Sequence, residues 1–197
     1  IYNANTAWLA QIVVHPGFRN RGIGKAITGA LLDLIDRQRY ATVLLDATDL
    51  GFPVYHSYGF EVVSHHMHFK GTQSGTPGAD PGIGPCEGQE LAAVLQLDRK
   101  ACGEDRANTL LEHIANAFVY KEGGKIAGAY FPTLGKGAVI AAHGEAGRAL
   151  MKLRMQEKQH AMLPEENLQA TQFLLQQDFT VERRSRRMRL GKALEWQ

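Results

Sequence analysis

Sulfur chemistry is scarce in this sequence. Cys86 and Cys102 are its only cysteines. Two cannot build a disulfide framework, and neither stands in a CxxC pair. They are expected as reduced thiols of a cytoplasmic protein. No apolar run reaches the roughly 18 residues needed to span a bilayer. The opening IYNANTAWLA has no basic n-region, so no signal peptide is read there and no membrane partner is expected. An excess of one charge is also missing. Lys and Arg number 22 against 20 Asp and Glu, a net +2, which is too mild to imply nucleic acid. What remains is ordinary for a globular chain. Over 197 residues, 44% are hydrophobic and 21% charged, and that length suits one large domain or two small ones. The chain begins at Ile1 rather than at a methionine.

One linker stands out. GTQSGTPGADPGIGPCEG, residues 71–88, is rich in Gly and Pro and has little to bury. It separates residues 1–70 from 89–197. In the first part, WLAQIVV (Trp8–Val14) reads as a buried strand, HPGFRNRG as a turn, and 22–38 as a helix with apolar residues at helical spacing. A strand at 42–46, a short helix at 52–58 and a strand at 60–69 follow. Alternating strands and helices indicate an α/β domain with a partly parallel sheet. The second part reads as helices at 89–99 and 105–117, then strands at 118–121, 125–131 and 137–142. A helix at 146–158, a strand at 160–163, a helix at 166–176 and a strand at 179–190 complete it. The parts look like copies of one unit. Tyr58-Gly59-Phe60 matches Gln177-Asp178-Phe179, and the strands that follow end in MHFKG and MRLG.

The most informative stretch is VHPGFRNRGIGK, Val14 to Lys25, between a strand and a helix. Arg19, Gly22 and Gly24 are spaced R-x-x-G-x-G. Glycines there permit a tight turn and a close approach to the backbone. The free N–H groups and dipole of the new helix favour an anion, and Arg19, Arg21 and Lys25 add positive charge. A phosphate or pyrophosphate is the expected ligand. A Walker A loop fails, because Arg19 stands where its first glycine belongs and Ala26 follows Lys25. A dinucleotide fingerprint fails beyond Gly22-Ile23-Gly24. The pattern [QR]-x-x-G-x-[GA] after an apolar strand fits fully.

WLAQIVVHPGFRNRGIGKAITGALLDLI resembles the acetyl-CoA-binding segment of the GNAT superfamily of N-acyltransferases. Val54-Tyr55-His56-Ser57-Tyr58-Gly59-Phe60 resembles that family's hYxxxGF segment, in the family's order. GEDR (103–106), KIAGAYF and LPEENLQATQFLLQQDF are similar to a related C-terminal domain of two-domain bacterial proteins. The resemblance implies an α/β (α+β) fold: a mixed sheet flanked by helices, with half of a first copy and a nearly complete second. The second copy departs from the pattern. Gly144 replaces the Arg or Gln, Glu145 adds negative charge, and Leu174 stands where Tyr55 would. Asn167 and Ala170 keep an N-x-x-A that the first copy replaces with Thr48 and Gly51. An active first unit and a degenerate second one are therefore expected.

The resemblance implies direct attack of a primary amine on the thioester of acetyl-CoA, with a small-molecule or amino-acid-like acceptor. Arg19, Asn20, Arg21, Gly22, Ile23, Gly24 and Lys25 would hold the pyrophosphate. Ile12 and Val14 would pair with the pantetheine arm as an added strand, and one N–H would polarise the carbonyl. Thr48 would replace the usual Asn as a cofactor contact. Tyr55, a phenol with an ordinary pKa of about 10, is the candidate general acid for the departing thiolate; a packing aromatic is the other reading. No general base is visible, and Asp46 reads equally as a turn cap. No metal is expected: His65 and His66 face opposite sides of a strand, with no carboxylate or cysteine near in sequence. Arg183–Arg189 (RRSRRMR) reads as a solvated edge strand, with nucleic-acid binding as the lesser reading. A non-catalytic module that binds CoA or a partner is the alternative function. Residues 1–70 hold only the second half of such a unit. The chain is thus expected to be a truncated piece of a longer two-domain acyltransferase. Its edge at Trp8–Val14 would be covered by a neighbour or, as a homodimer, by a second chain.

Overall fold

The computed structural model describes residues 1–71 and 80–196, so most of the Gly/Pro linker lies outside the described residues. The first part contains β1 (Thr6–Trp8), α1 (Ile23–Asp33), β2 (Thr42–Ala47), α2 (Phe52–His56) and β3 (Glu61–Lys70). The second contains β4 (Ile83–Pro85), α3 (Leu91–Cys102), α4 (Ala107–Leu111), β5 (Phe118–Glu122), β6 (Lys125–Phe131) and β7 (Ala138–Ala141). It ends with α5 (Gly144–Met155), β8 (His160–Pro164), α6 (Leu168–Gln176) and β9 (Thr180–Gly191). The opening strand of the second part is β4, within the stretch read as linker. The helix expected over 105–117 is short, and 3-10 turns continue it at Ile114–Asn116.

The two parts exchange strands. One sheet runs β1-β2-β9-β3-β8 and the other β4-β5-β6-β7. In the first sheet, β9 pairs antiparallel with β2 from Thr42↔Gly191 to Ala47↔Arg186, and with β3 from Glu61↔Arg189 to Lys70↔Thr180. β8 then pairs with the other side of β3. Within this sheet, β2-β9-β3-β8 is palindromic in terms of the repeat, with the last strand of each copy lying between the last two strands of the other. The run Arg183–Arg189 is therefore no edge. It lies in the central strand, and Arg187 and Ser185 are buried.

One face of this sheet is apolar. Val43, Leu45, Ala47 and Met188 pack with Ile35 and Phe60 beneath α1 and α2. Met67, Phe69 and Ala161 pack with Met151, Met155, Phe173 and Leu174 of α5 and α6. Alternation along the strands puts Thr6, Trp8, Thr42, Leu44 and Asp46 on the opposite face. A bulge between Val62 and Ser64 shifts the register of β3 by one residue. Val62 thus pairs with core-facing Met188, while Ser64, His66 and His68 join Arg187, Ser185 and Arg183 on the polar face.

Candidate active site

β1 pairs with β2 in parallel only from Thr6 to Trp8, and Leu9 donates one further bond to Leu44. The strand expected over Trp8–Val14 is therefore mostly unpaired. Gln11, at φ 56°, turns the chain away, and a non-glycine residue in that region disrupts a ladder. Beyond it, the N–H groups of Ile12 and Val14 donate to no described group. On the other side of this segment β2 continues to Ala47, past the last bond the two share.

The loop that follows closes on this segment. Arg19 Nε donates to Val14 O at 3.1 Å, and the Arg21 guanidinium sits over the Phe18 ring. Asn20 and Gly22 both take left-handed backbone, at φ 61° and 76°. Gly22 is the N-cap of α1 and supplies no capping side chain, so the first-turn N–H groups of an 11-residue helix remain available. Arg19, Asn20, Arg21, Gly22, Ile23 and Lys25 are exposed, and Gly24 is half-buried. The structure brings all seven to one helix end. Gly29 lies mid-helix for a packing reason. A Cβ there would come within 2.6 Å of Tyr58 Oη, which donates to Lys25 O at 2.8 Å and so ties α1 to α2.

Tyr55 is half-buried on α2, edge-on to Phe60. Burial raises its pKa above the ordinary 10, so the phenol is protonated at neutral pH. Thr48 is committed locally, with its carbonyl accepting from Gly51 N and Phe52 N and its hydroxyl from Gly51 N at 3.3 Å. At the corresponding end of the second copy, α5 is obstructed. His143 Nδ1 accepts from Ala146 N, Glu145 lies in the first turn, and the Gln169 side chain crowds Gly144.

The polar face of the sheet holds a group of side chains that sequence order could not assemble. Asp46 caps no turn. Its Oδ1 lies 3.1 Å from His66 Nδ1, and its Oδ2 accepts from Ser185 Oγ at 2.6 Å. Ser185 Oγ is also 2.7 Å from His68 Nε2. His65 pairs with Glu165 at 2.8 Å. The histidines thus have carboxylate partners after all, though remote in sequence, and no group of three metal-ligating residues occurs among the described residues. Burial pushes the Asp46 pKa up, but bonds from His66 and Ser185 and the charges of His66 and His68 outweigh it, leaving it below the ordinary value. Burial and then Arg183 push His68 down, towards the neutral form. With Asp46 ionised, both of its oxygens accept. His66 Nδ1 is therefore the donor in its contact with Asp46 Oδ1.

Beside this group, Glu104 is buried between the parts. Its Oε2 accepts from Asn3 Nδ2 (3.1 Å), Thr6 Oγ1 (2.6 Å) and Trp8 Nε1 (2.8 Å). Arg106 holds buried Asp98 with two nitrogens and braces the turn that presents Glu104. The cysteines take no part: burial pushes both thiols up, Cys102 to about 11. Two shallow cavities, of about 350 and 310 Å³, lie elsewhere, the first at Lys136 and Glu157–His160 and the second at Arg148 and Gln169.

Two family models, each described as an acetyltransferase (GNAT) domain, match residues 2–74 and 94–196. No curated protein matches by sequence. Among solved structures, a protein described as an acetyltransferase of Pyrococcus horikoshii aligns with a TM-score of 0.85 at 21% identity. The alignment covers 100% of this chain and 69% of that one. A GNAT-family protein of Novosphingobium aromaticivorans aligns at 0.62 and 15% identity, covering 96% and 86%. A tandem GNAT protein from the clavulanic acid biosynthesis pathway aligns at 0.59 and 17%, covering 98% and 77%. At these identities the structures show a shared fold. The family matches, lying one on each side of the linker and joined by exchanged strands, show that the chain belongs to the GNAT acetyltransferases as a two-domain member.

Proposed function

We propose that this chain transfers the acetyl group of acetyl-CoA directly to a primary amine of a small molecule, using a site on its first domain, residues 1–70. The observation that carries the reading is the uncapped start of α1 beside an unpaired strand segment. The N–H groups at Gly22–Gly24, with Arg19, Arg21 and Lys25, suit a pyrophosphate. The N–H groups of Ile12 and Val14, which donate to no described group, suit an extended amide-bearing arm laid alongside them. The obstructed α5 leaves the second domain, residues 89–197, without an equivalent site.

Two proton carriers flank β2. Tyr55, below the sheet and held protonated by burial, is the proton source for the leaving thiolate. His66, above it and oriented by Asp46, offers Nε2 to the amine. The amine nitrogen bonds the carbonyl carbon, the C–S bond breaks, and the amine proton passes to His66. Calorimetry with acetyl-CoA and assay of CoA release over an amine panel test the reading. Tyr55→Phe should keep acetyl-CoA affinity and lower kcat by about 10²-fold or more. Arg19→Ala with Arg21→Ala should weaken acetyl-CoA binding instead. No saturable binding, or binding indifferent to the arginine substitutions, would refute the proposal. Binding without turnover on any amine would favour a non-catalytic CoA-binding module.

A further inference from the structure

Arg187 is an anomaly in the centre of the sheet. It lies on β9 as the direct cross-strand partner of Asp46 on one side and Ser64 on the other. The residue is 7% exposed. A guanidinium carries five N–H donors, yet among the described residues this one makes no hydrogen bond, and its Nε is buried without a partner. Its nearest carboxylate oxygen, Glu104 Oε1, is 3.9 Å away, while Glu104 Oε2 is occupied by three other donors. Glu104 compensates the charge and leaves the donors unfilled.

The aromatic neighbours explain how the group is held. The guanidinium carbon lies 4.4 Å from the Trp196 ring centroid and 5.7 Å from that of Trp8. Such contacts occupy the flat faces of the cation, while the N–H donors radiate from its edge. An edge fixed this way matches the two oxygens of a carboxylate. The formal charge of Glu104 on the other side disfavours a dianion such as phosphate. Arg187 is also on the polar face, on the side of the sheet away from α1, and next to Asp46 and His66.

We infer that Arg187 binds the carboxylate of the acceptor, so that the acetylated molecules are amines bearing a carboxylate, in the manner of amino acids. This rests on the acetyl-transfer reading above and adds the acceptor's second recognition point. A carboxylate gripped at Arg187 places the rest of the ligand over Asp46, its cross-strand partner, and His66, one same-face row along the sheet. The cluster is composite: Trp8 comes from the first domain, and Glu104, Arg187 and Trp196 from the second. The second domain would then supply acceptor specificity even without a cofactor site of its own.

The test uses the full chain and a panel of α- and ω-amino acids, each paired with the amine that lacks its carboxyl group. Wild type should show a KM for the best amino acid at least tenfold below that of its paired amine. Arg187→Gln should raise that KM about 30-fold or more while leaving kcat and the paired amine's KM nearly unchanged. Arg187→Lys should recover part of the difference, and it serves alone if Arg187→Gln fails to fold. Equal losses for acids and amines, or no preference in wild type, would overturn this inference while leaving acetyl transfer standing. If no acceptor turns over, calorimetry with the same panel decides. Saturable heat from amino acids, absent in the Arg187 variants, supports the pocket, and its absence in wild type refutes it.

Discussion

Removing the Glu104 carboxylate should be among the most costly single changes to this fold. Glu104→Ala takes the acceptor from Thr6 Oγ1, Trp8 Nε1 and Asn3 Nδ2 at once, and it removes the charge facing Arg187. Asn3 Nδ2 keeps a second partner, Thr6 Oγ1 at 3.2 Å, and half-buried Trp8 can draw on water. Thr6 is wholly buried and cannot. An orphaned buried donor costs about 1–3 kcal/mol, and breaking a buried ionic contact by removing one side costs about 3–5 kcal/mol. These overlap, so the expected loss is about 3–5 kcal/mol, a large part of the roughly 5–15 kcal/mol that holds a typical domain. Glu104→Gln retains an acceptor oxygen for Thr6 but also removes the charge facing Arg187, so it should still lose about 3 kcal/mol. Urea unfolding followed by far-UV circular dichroism measures both. The same lesion should loosen β1 and weaken acetyl-CoA binding, because β1 anchors the segment that leads to Ile12 and Val14. A loss below about 1 kcal/mol for either variant would refute the account of Glu104 as a charged hub.

Three further outcomes are expected. Gly29→Ala should destabilise by about 1–2 kcal/mol through its clash with Tyr58 Oη; Tyr58→Phe should suppress part of that loss, and strict additivity in the double-mutant cycle would contradict the contact. Stability should fall on acidification in two stages. His68 has a folded pKa below its ordinary 6.5, so its contribution is complete above 6.5 and is lost as pH falls through the folded value; Asp46 behaves likewise below the ordinary 3.8. Urea midpoints from pH 8 to pH 3 would show it, and His68→Gln should flatten the upper stage. Finally, Trp fluorescence and circular dichroism should report one coincident unfolding transition, since β9 and β3 interleave; separate transitions for the two parts would contradict that coupling.

The helix-and-strand order was legible because each element carries its own periodicity. The apolar residues of α1 recur at helical spacing, although Ile23, Ile27 and Leu34 stay exposed and only Thr28 within the helix is buried, and β2 is a short apolar run between turns. The anion-binding loop was legible because its residues are contiguous. The polar face was not, for a geometric reason. Asp46, His66, Ser185 and Glu104 come from four separate segments, and only the strand exchange brings them together. The bulge at Val62/Ser64 compounds this, since a one-residue shift decides which face of β3 His66 occupies. RRSRRMR misled for a related reason. A run of charge suits an edge in sequence terms, but here Arg186 reaches Asp49 just past β2, Arg189 reaches Glu61 on β3, and Arg187 turns inward between tryptophans. One signal was available: Ser185 and Met188 interrupt the arginines at positions that an exposed basic patch has no need to vary.

The strand exchange also changes what degeneracy means in the second copy. Viewed as an independent unit, that copy has lost its arginine, its tyrosine and the free start of its helix at Gly144. In the folded chain, however, β9 completes the first copy's sheet by pairing with both β2 and β3. Without it, Val43 and Leu45 would lose the core partner Met188, and Asp46 would lose Ser185. The reciprocal strand, β3, supplies Met67 and Phe69 to the core under α5 and α6. Each copy therefore needs the other's last strand whether or not the other retains a site. Substitutions at the start of α5, at Gly144, Glu145 and His143, touch none of these exchanged contacts, and their cost stays local, to the His143 cap on Ala146 N and the Gln169 side chain beside Gly144. Substitutions at Ser185, Arg187 and Met188 touch the first copy directly. Constraint in the second copy should accordingly concentrate on β9 and on the turn that presents Glu104, where its residues face Asp46, His66 and Trp8.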